Sequence, residues 1–365
     1  MNVTTQNDRL LSIDLARGLA VFFMIAVHTL EVFASPEVKK SLFGQVIEFL
    51  GGPPAAPVFM TLMGFSFIYS RKSALKPKLF RGFKIFLSGY VLNILRGVMP
   101  FTLSTYLKMD IAKTLPLDKL NEYTILTIVD ILQFAGIALM IMALIQEYKI
   151  NKYILLFSAF LISMLSPFLW GLRLNIPVID FILDLFWGNQ PIGFSFIGNK
   201  IAFPVFPWLA FPLMGMFLGD TMKNSKDQNM TFQYFGIIGI LVLLIGGAIT
   251  YPNIDYHFND YYHSRQGGML FMCGFVVFWL YLNKLIIDKI PMNKFFGLLF
   301  KWSSGVTNIY FAQWIVIIWS IVFFGINKSS YLTVILLIFA FTFISHFINE
   351  FIRYNRQRNK DMVLK

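Results

Sequence analysis

The feature that most constrains this chain is a series of apolar stretches, each long enough to cross a bilayer as a helix. A transmembrane helix needs roughly 20 consecutive, predominantly apolar residues. The sequence contains ten such stretches, near 15–34, 52–70, 79–98, 123–146, 152–170, 201–219, 232–250, 266–283, 304–324 and 331–352. It therefore predicts an all-α, polytopic integral membrane bundle of about ten transmembrane helices. Shorter apolar stretches, which predict interfacial or re-entrant pieces, lie at 43–50, 176–187 and 292–300.

The composition supports a membrane protein and argues against several other classes. Hydrophobic residues make up 57% of the chain and charged residues only 14%, whereas a soluble domain carries about 25% charged residues. The net charge of +12 comes from short basic runs between apolar stretches. Such runs are typical of membrane topology, so we expect no nucleic-acid partner. The single cysteine, Cys273, excludes an intrachain disulfide and a cysteine-based metal or redox motif.

Lys and Arg residues concentrate at the two ends of the chain and in every second loop. By the positive-inside rule, this alternation predicts an even number of spans with both termini in the cytoplasm, in the inner or plasma membrane. Residues 1–14 are then a cytoplasmic head and residues 353–365 a basic cytoplasmic tail of a single domain, 1–365. Three long loops lie near 99–122, 171–200 and 251–265. They are predicted on the outer side, where a polar acceptor substrate would bind.

The first apolar stretch carries an unusual row of polar residues. Asp14 and Arg17 are three residues apart and can pair on one helix face. His28 follows Arg17 by about three turns, roughly 16 Å of rise, so both share one stripe with Met24. Because an ionisable side chain at membrane depth is expensive, and histidine exchanges protons near neutral pH, His28 is the candidate general base. The alternatives are a structural histidine that hydrogen-bonds a neighbouring helix or Glu31, and an Asp14–Arg17 pair that only anchors the helix mouth.

The outer segment 255–266 and the ninth span supply candidates for substrate binding. His257, His263 and Arg265 lie in the outer segment, whose tyrosines and acids suit a sugar acceptor, although a solvated loop explains this composition equally well. The spacing of the two histidines is no known zinc spacing, so we expect no metal. Asn308 and Gln313 in the ninth span either contact substrate or only hydrogen-bond between helices.

A run of glycine and proline at 51–57 breaks the entry to the second span. Irregular backbone at membrane depth is tolerated only where it is buried in protein or lines a cavity. Because the run follows the His28 end of the first helix, we expect it to line a cavity there. An ordinary interfacial turn is the alternative.

Four blocks of the sequence carry a resemblance to a known family. They are RLLSIDLARGLAVFFMIAVH at 9–28, GGPPAAPVFMTLMGFSFIYSRK at 51–72, FPVFPWLAFPLMGMFLGD at 203–220 and SSGVTNIYFAQWIV at 303–316. Together they resemble the heparan-α-glucosaminide N-acetyltransferase-like family of bacterial membrane proteins, within a wider superfamily of transmembrane acyltransferases. The most specific part of the pattern is met by Asp14, Arg17, Gly18, Met24 and His28. The third block contains the Pro-Trp segment with Trp208, and the chain has Gln313 where related proteins often carry a histidine.

The resemblance implies an acyltransferase that moves an acetyl group from cytoplasmic acetyl-CoA, its donor substrate, to a sugar amine or hydroxyl on the far side. It implies that the donor meets Arg17 and the inner basic loops, that Asp14 and Arg17 belong to the catalytic site with His28 as base or acyl carrier, and that Trp208 binds substrate. The acceptor would be an extracytoplasmic or lipid-linked glycan in contact with the lipid bilayer, with no metal. Association into a homo-oligomer is compatible with the sequence.

Two other functions also fit a chain of this kind. A secondary transporter or flippase of a sugar- or lipid-linked substrate would explain many spans with intramembrane charge. Transporters often show two halves with repeated, interrupted helices, and no such repeat is visible here. A sensor or assembly subunit without catalysis would predict that substitution of His28 leaves the phenotype unchanged.

Overall fold

The computed structural model describes residues 10–70, 74–107, 122–188 and 201–363. These residues form helices and connecting turns with no β-strand among them, so the predicted all-α class is confirmed. The helices are α1 (Leu11–Phe33), α2 (Pro36–Lys40), α3 (Leu42–Gly51), α4 (Ala56–Tyr69), α5 (Leu75–Asn93), α6 (Met99–Tyr106), α7 (Glu122–Leu126), α8 (Ile131–Glu147), α9 (Lys152–Leu165), α10 (Pro177–Trp187), α11 (Val205–Trp208), α12 (Ala210–Lys223), α13 (Gln228–Thr250), α14 (Ile254–Phe258), α15 (Gln266–Lys289), α16 (Lys294–Ser304), α17 (Val306–Phe324) and α18 (Tyr331–Val363).

Eight helical segments within the described ranges are long and apolar enough to cross a membrane, which confirms an integral membrane protein. They are Leu11–Phe33, Leu42–Tyr69, Leu75–Tyr106, Val205–Lys223, Gln228–Phe258, Gln266–Lys289, Val306–Phe324 and Tyr331–Asn359. The other two predicted spans, 123–146 and 152–170, correspond to shorter apolar helices, Ile131–Glu147 and Lys152–Phe168. The count of ten spans therefore stays a prediction.

The helix predicted at 123–146 begins later in the structure. α7 is a separate short helix, and α8 starts only at Ile131. Asp130 is the N-cap of α8: its carboxylate accepts a hydrogen bond from the backbone N–H of Ile131, and the Gln133 side chain accepts one from the N–H of Asp130. This reciprocal capping box satisfies backbone donors that the first turn of a helix leaves free. Hydropathy alone does not predict this helix start.

Helix α1 lies in the middle of the bundle. It packs against α3, α4, α15, α16, α17 and α18. Lipid meets the outer helices instead: α13 exposes Ile237, Leu241 and Leu244, while its opposite side approaches α15 closely at Gly239 and Gly246. Small residues permit such close packing between membrane helices. The helix that carries Asp14, Arg17 and His28 is thus surrounded by protein.

Short helices pack beside the two halves of α1. The three short apolar stretches of the sequence form α3, α10 and α16. α3 packs beside the C-terminal half of α1, where Gly51 contacts Val27, and α16 packs beside the N-terminal half, where Gly18 contacts the backbone of Leu299. Each half of α1 is therefore held by one of these short helices.

Gly18→Ala is expected to lower the thermal unfolding midpoint of the protein in detergent. An added Cβ would overlap the backbone carbonyl of Leu299 and push α16 away from α1, and overpacking of this kind costs about 1–3 kcal/mol. Gly297→Ala in α16 is the matched control, because no atom outside the adjoining backbone of its own helix lies within 4 Å of the position of its Cβ. Differential scanning fluorimetry measures both variants, and equal midpoints would contradict the close approach of the two helices.

Candidate functional site

A cavity of about 330 Å³ lies beside the C-terminal half of α1. We call it the His28 cavity. Its lining includes Met24, Val27, His28, Glu31, Glu48, Gly51, Gly52, Ala55, Ala56, Phe59, Arg96, Asp130, Ile131, Tyr261, Tyr262, Tyr310 and Trp314. The Gly–Pro run at 51–57 therefore contributes to the wall of a cavity, as the sequence predicts. Its turn follows α3 and lines the same cavity as His28.

The imidazole of His28 is held by two neighbours on α17. Its Nδ1 lies 3.1 Å from Nε2 of Gln313, and its ring packs on the indole of Trp314 with 4.2 Å between the ring centroids. The Oε1 atom of Gln313 is buried without a hydrogen-bond partner in the described part of the chain. The tautomer of the imidazole therefore follows the orientation of this amide: when Oε1 of Gln313 faces Nδ1, Nδ1 carries the proton and Nε2 of His28 keeps its lone pair. The predicted cross-helix hydrogen bond of Gln313 is thus made to the histidine itself.

A buried ion pair, which was not predicted from the sequence, lies in the same cavity. Nη2 of Arg96 lies 2.7 Å from Oδ2 of Asp130 and donates to Oδ1 of Asn93 at 3.1 Å. The hydroxyl of Tyr310 donates to the same Asp130 oxygen at 2.8 Å. The sequence places Arg96 near the end of a predicted span, whereas the helix continues through a π-helical turn, Ile94–Val98, to the end of α6. An arginine inside an apolar stretch is the signal that could have identified it.

The π-helical turn aims Arg96 into the protein. Such a turn widens the helix by one residue and shifts the backbone groups around it, and it is often found at functional sites. The carbonyl of Leu95 accepts a hydrogen bond from the indole N–H of Trp319 at 3.0 Å. The side-chain amide of Asn93 donates to the carbonyls of Leu126 and Ile128. Contacts on both sides therefore fix the turn.

The rest of the His28 cavity is acidic and aromatic. Glu31 and Glu48 line it, and neither carboxylate forms a salt bridge with any residue that the structure describes. Tyr261 and Tyr262 form part of its wall, and the hydroxyl of Tyr261 donates to the carbonyl of Gly52 at 3.2 Å. Burial raises the pKa of both phenols far above the ordinary value, so they remain neutral.

The three predicted acceptor residues of the outer segment lie outside the His28 cavity. The Nδ1 atom of His257 accepts from the N–H of Gly267 at 3.2 Å, and His263 pairs with Asp260 at 2.9 Å. The guanidinium of Arg265 stacks on the rings of two aromatic residues, Trp170 and Tyr256. These contacts brace the segment that carries Tyr261 and Tyr262, and acceptor binding by the three residues stays a prediction.

Trp208 lies behind the aromatic wall. Its side chain is buried, and its indole N–H donates to the carbonyl of Tyr262 at 2.9 Å. It therefore supports a cavity residue without lining the cavity. No group of three or more His, Cys, Asp or Glu side chains suited to a metal occurs among the described residues.

A second cavity, of about 420 Å³, lies beside the N-terminal half of α1. We call it the Arg17 cavity. It is rich in arginine and serine, and its polar lining comprises Arg17, Ser66, Ser70, Arg81, Ser303, Ser304, Thr307, Asn308, Tyr310 and Arg356. Asn308, predicted together with Gln313, therefore belongs to this cavity, where its amide donates to Asn349 at 3.1 Å.

The predicted Asp14–Arg17 pair is present, with 3.8 Å between Oδ1 and Nη1. The hydroxyl of Ser303 donates to the same Asp14 oxygen at 2.7 Å, and Nη2 of Arg17 donates to Oγ of Ser66 at 2.5 Å. These bonds tie α1 to α4 and α16. They also hold the Arg17 guanidinium, about one-fifth exposed, at the wall of its cavity.

The two cavities share one wall. Met24, Phe59, Ile131 and Tyr310 line both of them. Arg17 and His28, on either side of this wall, are separated by roughly 16 Å of helix rise. One helix thus presents a basic cavity at one end and a cavity with a histidine, an ion pair and two carboxylates at the other.

Arg96→Met is expected to destabilise the protein by about 3–5 kcal/mol, because it leaves the Asp130 carboxylate buried without its cation. The double variant Arg96→Met/Asp130→Asn should recover much of this loss, since no uncompensated charge remains. Lys284→Met is the control for an exposed pair, with Asp288 as its partner, and should change stability by less than about 1 kcal/mol. Equilibrium unfolding in detergent measures all three. An Arg96→Met protein as stable as the wild type would contradict the structural role of the pair.

The comparisons with known proteins agree with this architecture. A family model described as heparan-alpha-glucosaminide N-acetyltransferase, catalytic, matches residues 9–250. No curated protein matches the chain. The matched range includes Asp14, Arg17 and His28, whereas Gln313 lies beyond it. Because the match covers more than half of the chain, the protein belongs to the heparan-alpha-glucosaminide N-acetyltransferase catalytic family and is a membrane acetyltransferase.

Proposed function

We propose that the protein transfers an acetyl group from acetyl-CoA, bound in the Arg17 cavity, to an amine or hydroxyl of an extracytoplasmic or lipid-linked sugar in the His28 cavity. The observation that carries the proposal is the pair of cavities on the two halves of α1, which share a single wall. This arrangement suits a reaction whose two substrates arrive from opposite faces of a membrane. Positive-inside topology supports a cytoplasmic Arg17 cavity and an outer His28 cavity.

The chemistry of the Arg17 cavity supports donor binding. Arg17, Arg81 and Arg356 come from three different helices, and guanidinium groups recognise phosphate oxygens through paired N–H donors. Serine hydroxyls and the first residues of α17 add further hydrogen-bonding groups. The phosphates of coenzyme A fit this set, which leaves the thioester arm to extend along α1 toward the shared wall.

The chemistry of the His28 cavity supports acceptor binding and proton transfer. The acceptor nitrogen or oxygen attacks the thioester carbonyl carbon, the carbon–sulfur bond breaks, and coenzyme A leaves as a thiolate. His28 accepts the proton that the nucleophile loses and returns it to the thiolate. In a two-step variant, the imidazole nitrogen itself carries the acetyl group before the acceptor attacks.

The charge of the His28 cavity favours an amine acceptor. Glu31 and Glu48 lie on its wall without a salt bridge in the described chain. The charge of Lys39 acts on both from a distance, and a protonated amine would add a positive charge in direct contact. The faces of Tyr261 and Tyr262 offer the flat apolar surface on which sugar rings pack. Loss of the ammonium proton to a base then makes the nitrogen nucleophilic.

Purified protein incubated with labelled acetyl-CoA and a panel of amino sugars tests the proposal. We expect release of coenzyme A together with label on an amino sugar. A folded protein that releases no coenzyme A to any acceptor or to water would contradict the proposed function. Counterflow of a sugar in proteoliposomes without any need for acetyl-CoA would instead favour a transporter.

His28→Ala is expected to lower turnover by about 10²–10⁴-fold, the usual contribution of a positioned acid or base. Binding of coenzyme A should persist, because His28 lines the other cavity. His346→Ala is the matched control: that histidine accepts a hydrogen bond from Trp302 and lines neither cavity, so its turnover should stay at the wild-type level. Steady-state kinetics and isothermal titration with coenzyme A measure both quantities. Wild-type turnover by the His28→Ala protein would contradict a catalytic role for His28.

Arg17→Ala and Arg356→Ala are expected to raise the KM for acetyl-CoA by about 10-fold or more, because a lost charged hydrogen bond is worth roughly 1.5–3 kcal/mol. The KM for the acceptor should change little. Arg358→Ala, on the exposed surface of α18 and outside the cavity, is the control. If Arg17→Ala and Arg356→Ala both bind the donor like wild type while His28→Ala does not, the two cavities have the opposite roles.

A further inference from the structure

One buried nitrogen of a residue that lines the His28 cavity has no hydrogen-bond partner among the described residues. Arg96 is only 5% exposed, and its Nη2 is engaged by Asp130 and Asn93. Its Nη1 is buried and makes no hydrogen bond with any residue of the described ranges. Buried polar groups are nearly always hydrogen-bonded, because leaving one unsatisfied is costly. Since Arg96 lines the cavity, a molecule bound there is the candidate partner for Nη1.

The position of the guanidinium relative to His28 indicates what that ligand is. The Arg96 guanidinium carbon lies 4.9 Å from the centre of the Trp314 ring, and His28 packs on the same indole at 4.2 Å. The cation and the imidazole are thus held by a single rigid side chain. A group that reacts at His28 lies within the field of the Arg96 charge.

The guanidinium is also held in a fixed orientation. Asp130 neutralises one edge and is itself fixed by the Tyr310 hydroxyl and by its role as N-cap of α8. The π-helical turn fixes the backbone of Arg96. A donor that is oriented before the reaction begins stabilises developing charge without having to reorganise, which is what an oxyanion-binding group requires.

We propose that Arg96 is a catalytic residue whose Nη1–H donates to the acetyl carbonyl oxygen as that oxygen becomes an anion. The inference rests on the proposed function. When the acceptor attacks the thioester carbon, the π electrons of the carbonyl move to its oxygen, and Arg96 stabilises the resulting negative charge. The electron pair then re-forms the double bond and expels the coenzyme A thiolate, while His28 carries the proton from nucleophile to thiolate. No further reactant is needed.

Arg96→Lys is the variant that separates this role from a structural one. The ammonium preserves the positive charge opposite Asp130 but has no second nitrogen to replace Nη1. We expect kcat to fall by about 10²–10³-fold, the loss seen when one oxyanion donor is removed. The KM values for acetyl-CoA and for the acceptor should stay within about twofold. Hydrolysis of acetyl-CoA by water should fall by the same factor as transfer, because both pass through the same oxyanion.

The control is Arg173→Lys, which changes an arginine paired with Asp184 outside both cavities and should leave kcat unchanged. Thermal unfolding verifies that both variants are folded. An Arg96→Lys protein with wild-type kcat overturns the proposal, as does a defect confined to the acceptor KM, which would make Arg96 a binding residue for an anionic group of the acceptor. A folded wild-type protein that neither transfers nor hydrolyses acetyl overturns the proposed function instead, and the inference falls with it.

Discussion

The ion pair between Arg96 and Asp130 connects the helices that build the site. Two charges removed from water inside a membrane bundle are tolerated only as a well-bonded pair. Arg96 belongs to the helix that runs from α5 to α6, Asp130 to the start of α8, and Tyr310, which donates to Asp130, to α17. Keeping the pair together therefore fixes these three elements around the C-terminal half of α1. The position of Trp314 against His28 follows from this constraint.

Helix α1 lines both cavities. Its 23 residues span about 35 Å, so it can reach from one membrane face to the other with polar groups at both ends. The wall between the cavities is mainly apolar, with Met24 and Phe59 beside the hydroxyl-bearing Tyr310. In the proposed reaction, the acetyl group passes this wall. Met24 is its most adaptable member, because methionine has three rotatable bonds and no branching.

Much of the architecture could be predicted from the sequence because the relevant signals are local. Length and hydropathy identify membrane helices, and the three- and eleven-residue spacings of Asp14, Arg17 and His28 place them on one face. The Gly–Pro run at 51–57 also lies at the cavity, as its position after α1 indicates. The outer segment is a different case: its histidines and Arg265 were predicted to bind the acceptor, whereas the residues of that segment that line the His28 cavity are Phe258, Tyr261 and Tyr262.

The sequence by itself determined an all-helical membrane protein and the stripe of polar residues on its first helix, because both follow from spacing within one continuous segment. Only the tertiary structure decided what surrounds that stripe. The residues of the ion-pair cluster, Arg96, Asp130 and Tyr310, are far apart along the chain. A hydropathy pattern does not show which helices pack against each other. The same holds for Gln313, which a sequence can place in a span but not against His28. Packing and the need to pair buried charges brought these residues together.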